Sequence, residues 1–175
     1  MRAKTIVLLL AVIFVAGSAA FATDQKPFKG WAQAIGDPNP NVDPRDYPYL
    51  LKVIQERGEP DGGSQIQLFQ GVNNVGGAWI SENVQMIYSN RYPIIDIYED
   101  MVMTVANGDQ IFFEIEAAYN DSTGALTGRA TIVGGTGRFV GAEGYYIPTV
   151  SVRKDGQALI ILNGYITTVG AAKQK

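Results

Sequence analysis

The stretch Gly134-Gly135-Thr136-Gly137-Arg138-Phe139-Val140-Gly141-Ala142-Glu143-Gly144 constrains this chain more than any other, because five of its eleven residues are glycine. Glycines that dense mark backbone positions from which positive φ or close approach excludes a side chain. Two structures call for such a run: a loop that cradles a phosphate, or a sharp strand-turn-strand device. A dinucleotide loop sets its glycines between a first strand and a helix N-terminus. In this chain the spacing is Gly135-x-Gly137-x-x-x-Gly141, one residue longer than that pattern, and residues 145–153 read as strand. Only 34 residues follow Gly141. A nucleotide fold needs more chain and a helix at that point, so the strand-turn-strand reading stands.

The surrounding pattern agrees. From Tyr92 onward, apolar residues alternate with polar ones, interrupted at Asn107-Gly108, at residues 120–125, at the glycine run and at Asp155-Gly156. Asn-Gly and Asp-Gly favour tight hairpins because type I′ turns need positive φ at both central positions. Such a turn at Asn107-Gly108 places Thr104 opposite Ile111 and Val102 opposite Phe113. With Asn120 opposite Ala125, Phe113 faces Ile132, Ile115 faces Ala130 and Glu116 faces Arg129. A turn at Asp155-Gly156 sets Val152 against Leu159 and Val150 against Ile161. The common apolar face then holds Ile95, Ile97, Val102, Thr104, Ile111, Phe113, Ile115, Leu126, Ala130 and Ile132, with Tyr119 at one end. Glu99, Glu116 and Arg129 share the opposite face. Upstream, residues 28–35 and 65–69 read as strands, and residues 49–55 as a strand or a short helix. Residues 37–48 hold four of the eight prolines and are irregular, since proline cannot sit inside a ladder. The pattern as a whole predicts an all-β, antiparallel meander closed into a barrel.

The N-terminus has the form of a secretory leader. Arg2 and Lys4 precede an apolar run at residues 6–15, and Ala20-Phe21-Ala22 offers a cleavage site before Thr23. Residues 1–22 are read as signal peptide and 23–175 as one domain, secreted or periplasmic, with no membrane span after cleavage. Without the leader's two cations the net charge moves from −3 to −5, opposite in sign to a nucleic-acid footprint. Cysteine and histidine are both absent. Thiol chemistry, histidine triads and the usual zinc sites are therefore excluded, and stability rests on packing.

The run Thr131-Ile132-Val133-Gly134-Gly135-Thr136-Gly137-Arg138-Phe139, followed by Gly141-Ala142-x-Gly144, resembles the turn of allene oxide cyclase and dirigent-like β-barrels. The preceding Asn107-Gly108-Asp109-Gln110 hairpin is similar to theirs as well. The resemblance covers about residues 107–146. It implies an eight-stranded, calycin-like barrel around an apolar pocket, and a homo-oligomer, commonly a trimer. Gly134, Gly135, Gly137 and Gly141 then have a geometric task, turning the strand while Phe139 plugs a barrel end.

These features predict an exported barrel whose lumen binds a small hydrophobic molecule, with Ile111, Phe113, Ile115, Tyr119, Ile132, Val152, Ile161 and Tyr165 lining it. Tyr119, Tyr146 and Tyr165 offer apolar rings with polar tips at a pocket mouth. Two other readings remain open at this level. One is an isomerase or cyclase of the allene oxide cyclase or dirigent type, acting by confinement without cofactor or metal, with Glu99, Glu116 and Arg129 as its candidate acid, base and cation. The other is a structural or adhesive envelope protein with a filled barrel. Asp37-x-Asn39-x-Asn41-x-Asp43 alternates oxygen ligands, but it lacks the glycine and glutamate of a calcium loop. Ser151-x-x-Lys154 lies at a strand end, without the helix a serine/lysine nucleophile needs.

Overall fold

The computed structural model describes residues 25–35, 42–152 and 158–167. Eight strands follow one another around a closed antiparallel barrel: β1 (Gln25–Ala34), β2 (Ser64–Asn73), β3 (Gly77–Arg91), β4 (Ile94–Val105), β5 (Gln110–Asn120), β6 (Ala125–Gly135), β7 (Glu143–Val152) and β8 (Ala158–Thr167). Strand β1 closes the circle by pairing with β8 from Gln25 opposite Thr167 to Ala32 opposite Ile160. Residues 1–24, residues 36–41 and the Asp155-Gly156 pair of the expected turn lie outside the described residues. So do Asp37, Asn39 and Asn41; Asp43 accepts a hydrogen bond from the Arg45 backbone N–H at 2.9 Å and caps a short turn.

One hairpin has the expected register and two are shifted by a residue. Asn120 pairs with Ala125, and Phe113–Ile132, Ile115–Ala130 and Glu116–Arg129 follow as the alternation requires. At Asn107-Gly108, however, Met103 pairs with Ile111 and Met101 with Phe113. The reason is the turn type. Gly108 has φ +87° but Asn107 does not enter the positive-φ region, so a two-residue type I′ turn is not formed. A three-residue loop forms between Val105 and Asp109, in which the Gly108 N–H donates to the Val105 carbonyl at 2.8 Å. That shift turns Val102 and Thr104 outward and Met101, Met103 and Val105 into the lumen. On the last hairpin, Val150 pairs with Ile160, not Ile161, and Ser151 with Leu159. Even-numbered Ile160, Leu162 and Ile166 therefore point inward.

A helix missing from the barrel alternation, α1 (Pro48–Arg57), lies across the outside of β3 and β4. Pro48 opens it and Gly58, at φ +86°, ends it with its N–H on the Ile54 carbonyl. Leu50 and Val53, one turn apart, bury against Val84, Met86, Tyr88 and Tyr98. Strand β3 is thus covered on both faces from Asn83 to Met86. The Arg57 guanidinium anchors the helix C-terminus. It donates to the Tyr98 hydroxyl and to Asp96 (2.9 Å), between the Tyr88 and Tyr98 rings.

The glycine run forms the plug of one barrel end. After Gly135 the chain makes one short helical turn (Gly137–Phe139), and Phe139 is buried in the core with Ile111, Ala142 and Ile166. A side chain at Gly135 would lie 2.3 Å from the Gln110 carbonyl oxygen and 2.7 Å from Phe139 Cβ. Gly137, at φ +53°, leaves room for the Asp109 carboxylate. Gly135 is thus required by a close backbone approach, and Gly137 by its positive φ. Phe139→Ala should cost about 3–5 kcal/mol. Urea denaturation checks this as a lower midpoint with an unchanged slope.

Candidate lumenal site

The lumen has two unlike halves. Toward the glycine-run end it is filled by Phe28, Phe113 and Tyr146, whose rings meet at 5.4–6.1 Å, together with Met103, Ile111 and Phe139. In the other half a cavity of about 60 Å³ remains. That is several times the space one water needs, and small beside a drug-sized pocket. Its walls are mostly apolar: Ala32, Phe69 and Trp79 on one side, Ile97, Ile115 and Ala117 on the other, with Leu126, Ile160 and Leu162 closing the ring.

One arc of this wall is polar. Because β4 runs without interruption, its odd residues from Ile97 to Val105 face inward, and Glu99 among them. It is met by the odd residues of β3. Asn83 Nδ2 donates to Glu99 Oε2 and Gln85 Nε2 donates to Glu99 Oε1, each at 2.6 Å. Ser81 Oγ donates to Asn83 Oδ1 at 2.8 Å, and Gln65 Nε2 to Gln85 Oε1 at 3.0 Å. Two amide relays therefore converge on one carboxyl group. Burial pushes the Glu99 carboxyl above its ordinary value of 4.5, while the two amide bonds oppose that rise. The Tyr146 phenol is raised as well, first by burial and then by Glu99. Among the described residues its hydroxyl reaches only the Met101 sulfur, at 4.0 Å. Trp79 is 4% exposed, and its indole N–H has no hydrogen-bond partner among the described residues.

The expected charged cluster is divided by the sheet. Glu116 and Arg129 are cross-strand partners on the outer surface, where Arg129 stacks on Tyr145 at 4.2 Å and Tyr98 donates to Glu116 at 3.4 Å. Glu99 pairs with Ile115 and lies inside, so it shares no face with the other two. The cause is the one-residue phase of β4 described above. Of the expected lining, Ile115 borders the cavity, and Ile111, Phe113 and Ile132 belong to the filled core. Tyr119 is half-buried between Ile95 and Leu126 at the strand end. Ile161 and Tyr165 are 36% and 46% exposed, on the outer face, which corrects their expected place in the lumen. Val152 pairs through its backbone with Ala158, and its side chain lies outside the description. Trp79, Ser81, Asn83 and Gln85 were missed; at Asn83 and Gln85 the cause is that helix α1 buries Val84, Met86 and Tyr88 on the even side of β3 and inverts its apparent polarity. Among the described residues, no three Asp, Glu, His or Cys side chains converge as a metal site would require.

No protein-family model matches the chain, and no curated protein matches its sequence. Solved structures similar to it include two dirigent proteins. The pterocarpan synthase dirigent protein PsPTS1 is 14% identical, with a TM-score of 0.49 over 83% of this chain and 96% of that one. The pterocarpan synthase dirigent protein GePTS1 is 13% identical, with a TM-score of 0.48 over 88% and 91%. Pyocyanin demethylase is 12% identical, with a TM-score of 0.42 over 80% and 98%.

The sign of the Glu99 shift sets a pH dependence. The folded state holds a proton that the unfolded chain releases. That contribution to stability is full below the unfolded value of 4.5 and is lost as pH rises through the folded value. Glu99→Gln removes the titration. Asn83 can rotate its amide to accept from the new NH₂, because the Ser81 hydroxyl serves equally as acceptor. The stability of the native chain relative to Glu99→Gln should therefore fall as the pH rises above 4.5. Thermal melts of both proteins across that range check it, and parallel curves would refute it.

Proposed function

We propose that this chain is an exported barrel that holds a small, largely apolar molecule in the unfilled half of its lumen. The observation that carries the reading is a cavity with apolar walls around one buried, hydrogen-bonded carboxyl group. Pockets of that make-up take up apolar surface and use a few polar groups to orient what they hold. A filled structural barrel would have no reason to keep a carboxyl group out of water beside free space, since the burial is costly. Export rests on the leader at residues 1–22, and N-terminal sequencing of the secreted protein should start at Thr23.

A second reading is favoured by Glu99 itself. A carboxyl group that burial holds above its ordinary range, facing an apolar space, is placed to donate and recover a proton. An isomerase or cyclase acting on a confined substrate needs no more than this and the shape of the wall.

Native mass spectrometry of protein purified from its own source tests the binding reading. The native chain should carry an adduct that organic solvent releases. Ala117→Leu, which fills the cavity at a cost of about 1–3 kcal/mol, should remain folded and carry none. A native chain without an adduct, or a variant that keeps it, counts against lumenal binding.

A further inference from the structure

Trp79 is held in a way that serves no partner within the described part of the protein. Its ring lies against β2 where Gly71 stands; a side chain at Gly71 would come within 2.5 Å of Trp79 Cζ2 and 2.7 Å of Cε2. A glycine there leaves the room that the indole occupies beside the neighbouring backbone. Trp79 borders the cavity, is almost wholly buried, and its Nε1 donor is unpaired among the described residues. Buried indole N–H groups ordinarily find an acceptor, because an unpaired donor costs more than a made hydrogen bond returns.

The other polar groups of the wall point the same way. The Tyr146 hydroxyl reaches only a thioether sulfur, a weak acceptor. The amide oxygens of Asn83 and Gln85 are already taken by Ser81 and Gln65, and both amides spend a donor on Glu99. Among the described residues, no lysine or arginine lines the cavity to neutralise an anion. The Trp79 N–H is the one buried side-chain polar group left without a partner among the described residues, and it is a donor.

We infer that Trp79 is a ligand-recognition residue, and that the lumen selects small neutral molecules carrying a hydrogen-bond acceptor, of the ketone or ether class, over hydrocarbons of the same shape. This rests on the lumenal-binding reading above and adds the chemistry of what is bound. Selectivity arises because an acceptor on the ligand satisfies a donor that a hydrocarbon would leave buried and unpaired.

The test uses the full mature chain, labelled with ¹⁵N, and two probes of equal heavy-atom count, cyclohexanone and toluene. The chain has two tryptophans, so Trp31→Phe on the outer surface leaves one indole signal and assigns Trp79. Cyclohexanone should bind saturably and move the Trp79 indole proton downfield. Trp79→Phe should weaken cyclohexanone by about tenfold while toluene changes by less than about twofold. Should the variant fail to fold, the shift in the native chain decides. If both probes bind and the indole proton does not move downfield with cyclohexanone, the donor is satisfied by water and this inference falls, although lumenal binding stands. If neither probe binds, both fall together.

Discussion

The ladder between β1 and β8 is the constraint on which the rest of the molecule depends. It joins the first strand to the last over residues 25–32 and 160–167, and with it every strand gains two neighbours. A closed sheet leaves no strand without two neighbours, which limits the edge open to another chain, and the seam is thinnest where β6 and β7 pair only from Ala130 to Ile132. Closure also fixes what is inside. A one-residue slip in any strand would carry its apolar set to the surface and its polar set into a lumen only wide enough for side chains. Glu99 faces inward for that reason alone: its strand has no bulge along which it could escape.

Given that position, the protein's problem is to keep a carboxyl group tolerable away from water. An ionised carboxylate unsupported in such surroundings would be strongly disfavoured. Two relays answer this, one from Ser81 through Asn83 and one from Gln65 through Gln85. In each, the amide carbonyl is engaged behind and the NH₂ group points ahead, so the dipoles align toward the same acid and strengthen one another. The neighbouring apolar wall works against ionisation and the relays work for it. The balance lies above the ordinary carboxyl value because burial is the larger effect.

The barrel, its meander order and the β5–β6 register were legible in the sequence because each strand there has one wet and one dry face. The Asn120–Ala125 turn obeyed the simplest rule, and the three pairs read from it are those formed. The β4–β5 register was not legible, since Asn-Gly suits both a two-residue and a three-residue turn. Strand β3 was hidden for a different cause. Val84, Met86 and Tyr88 look like the core-facing set, yet they face helix α1, and the polar set Ser81, Asn83 and Gln85 is the one that enters the barrel. No local pattern announces that a helix a few dozen residues away will cover a strand's outer side. The site was lost with it.

The aromatic plug has a consequence for traffic. With Phe139 and the Phe28–Phe113–Tyr146 group sealing one end, the lumen is a blind tube, not a channel. On the lumenal-binding reading, an occupant would arrive and depart by the same end, so residence time, more than encounter, would set how fast the barrel is refilled.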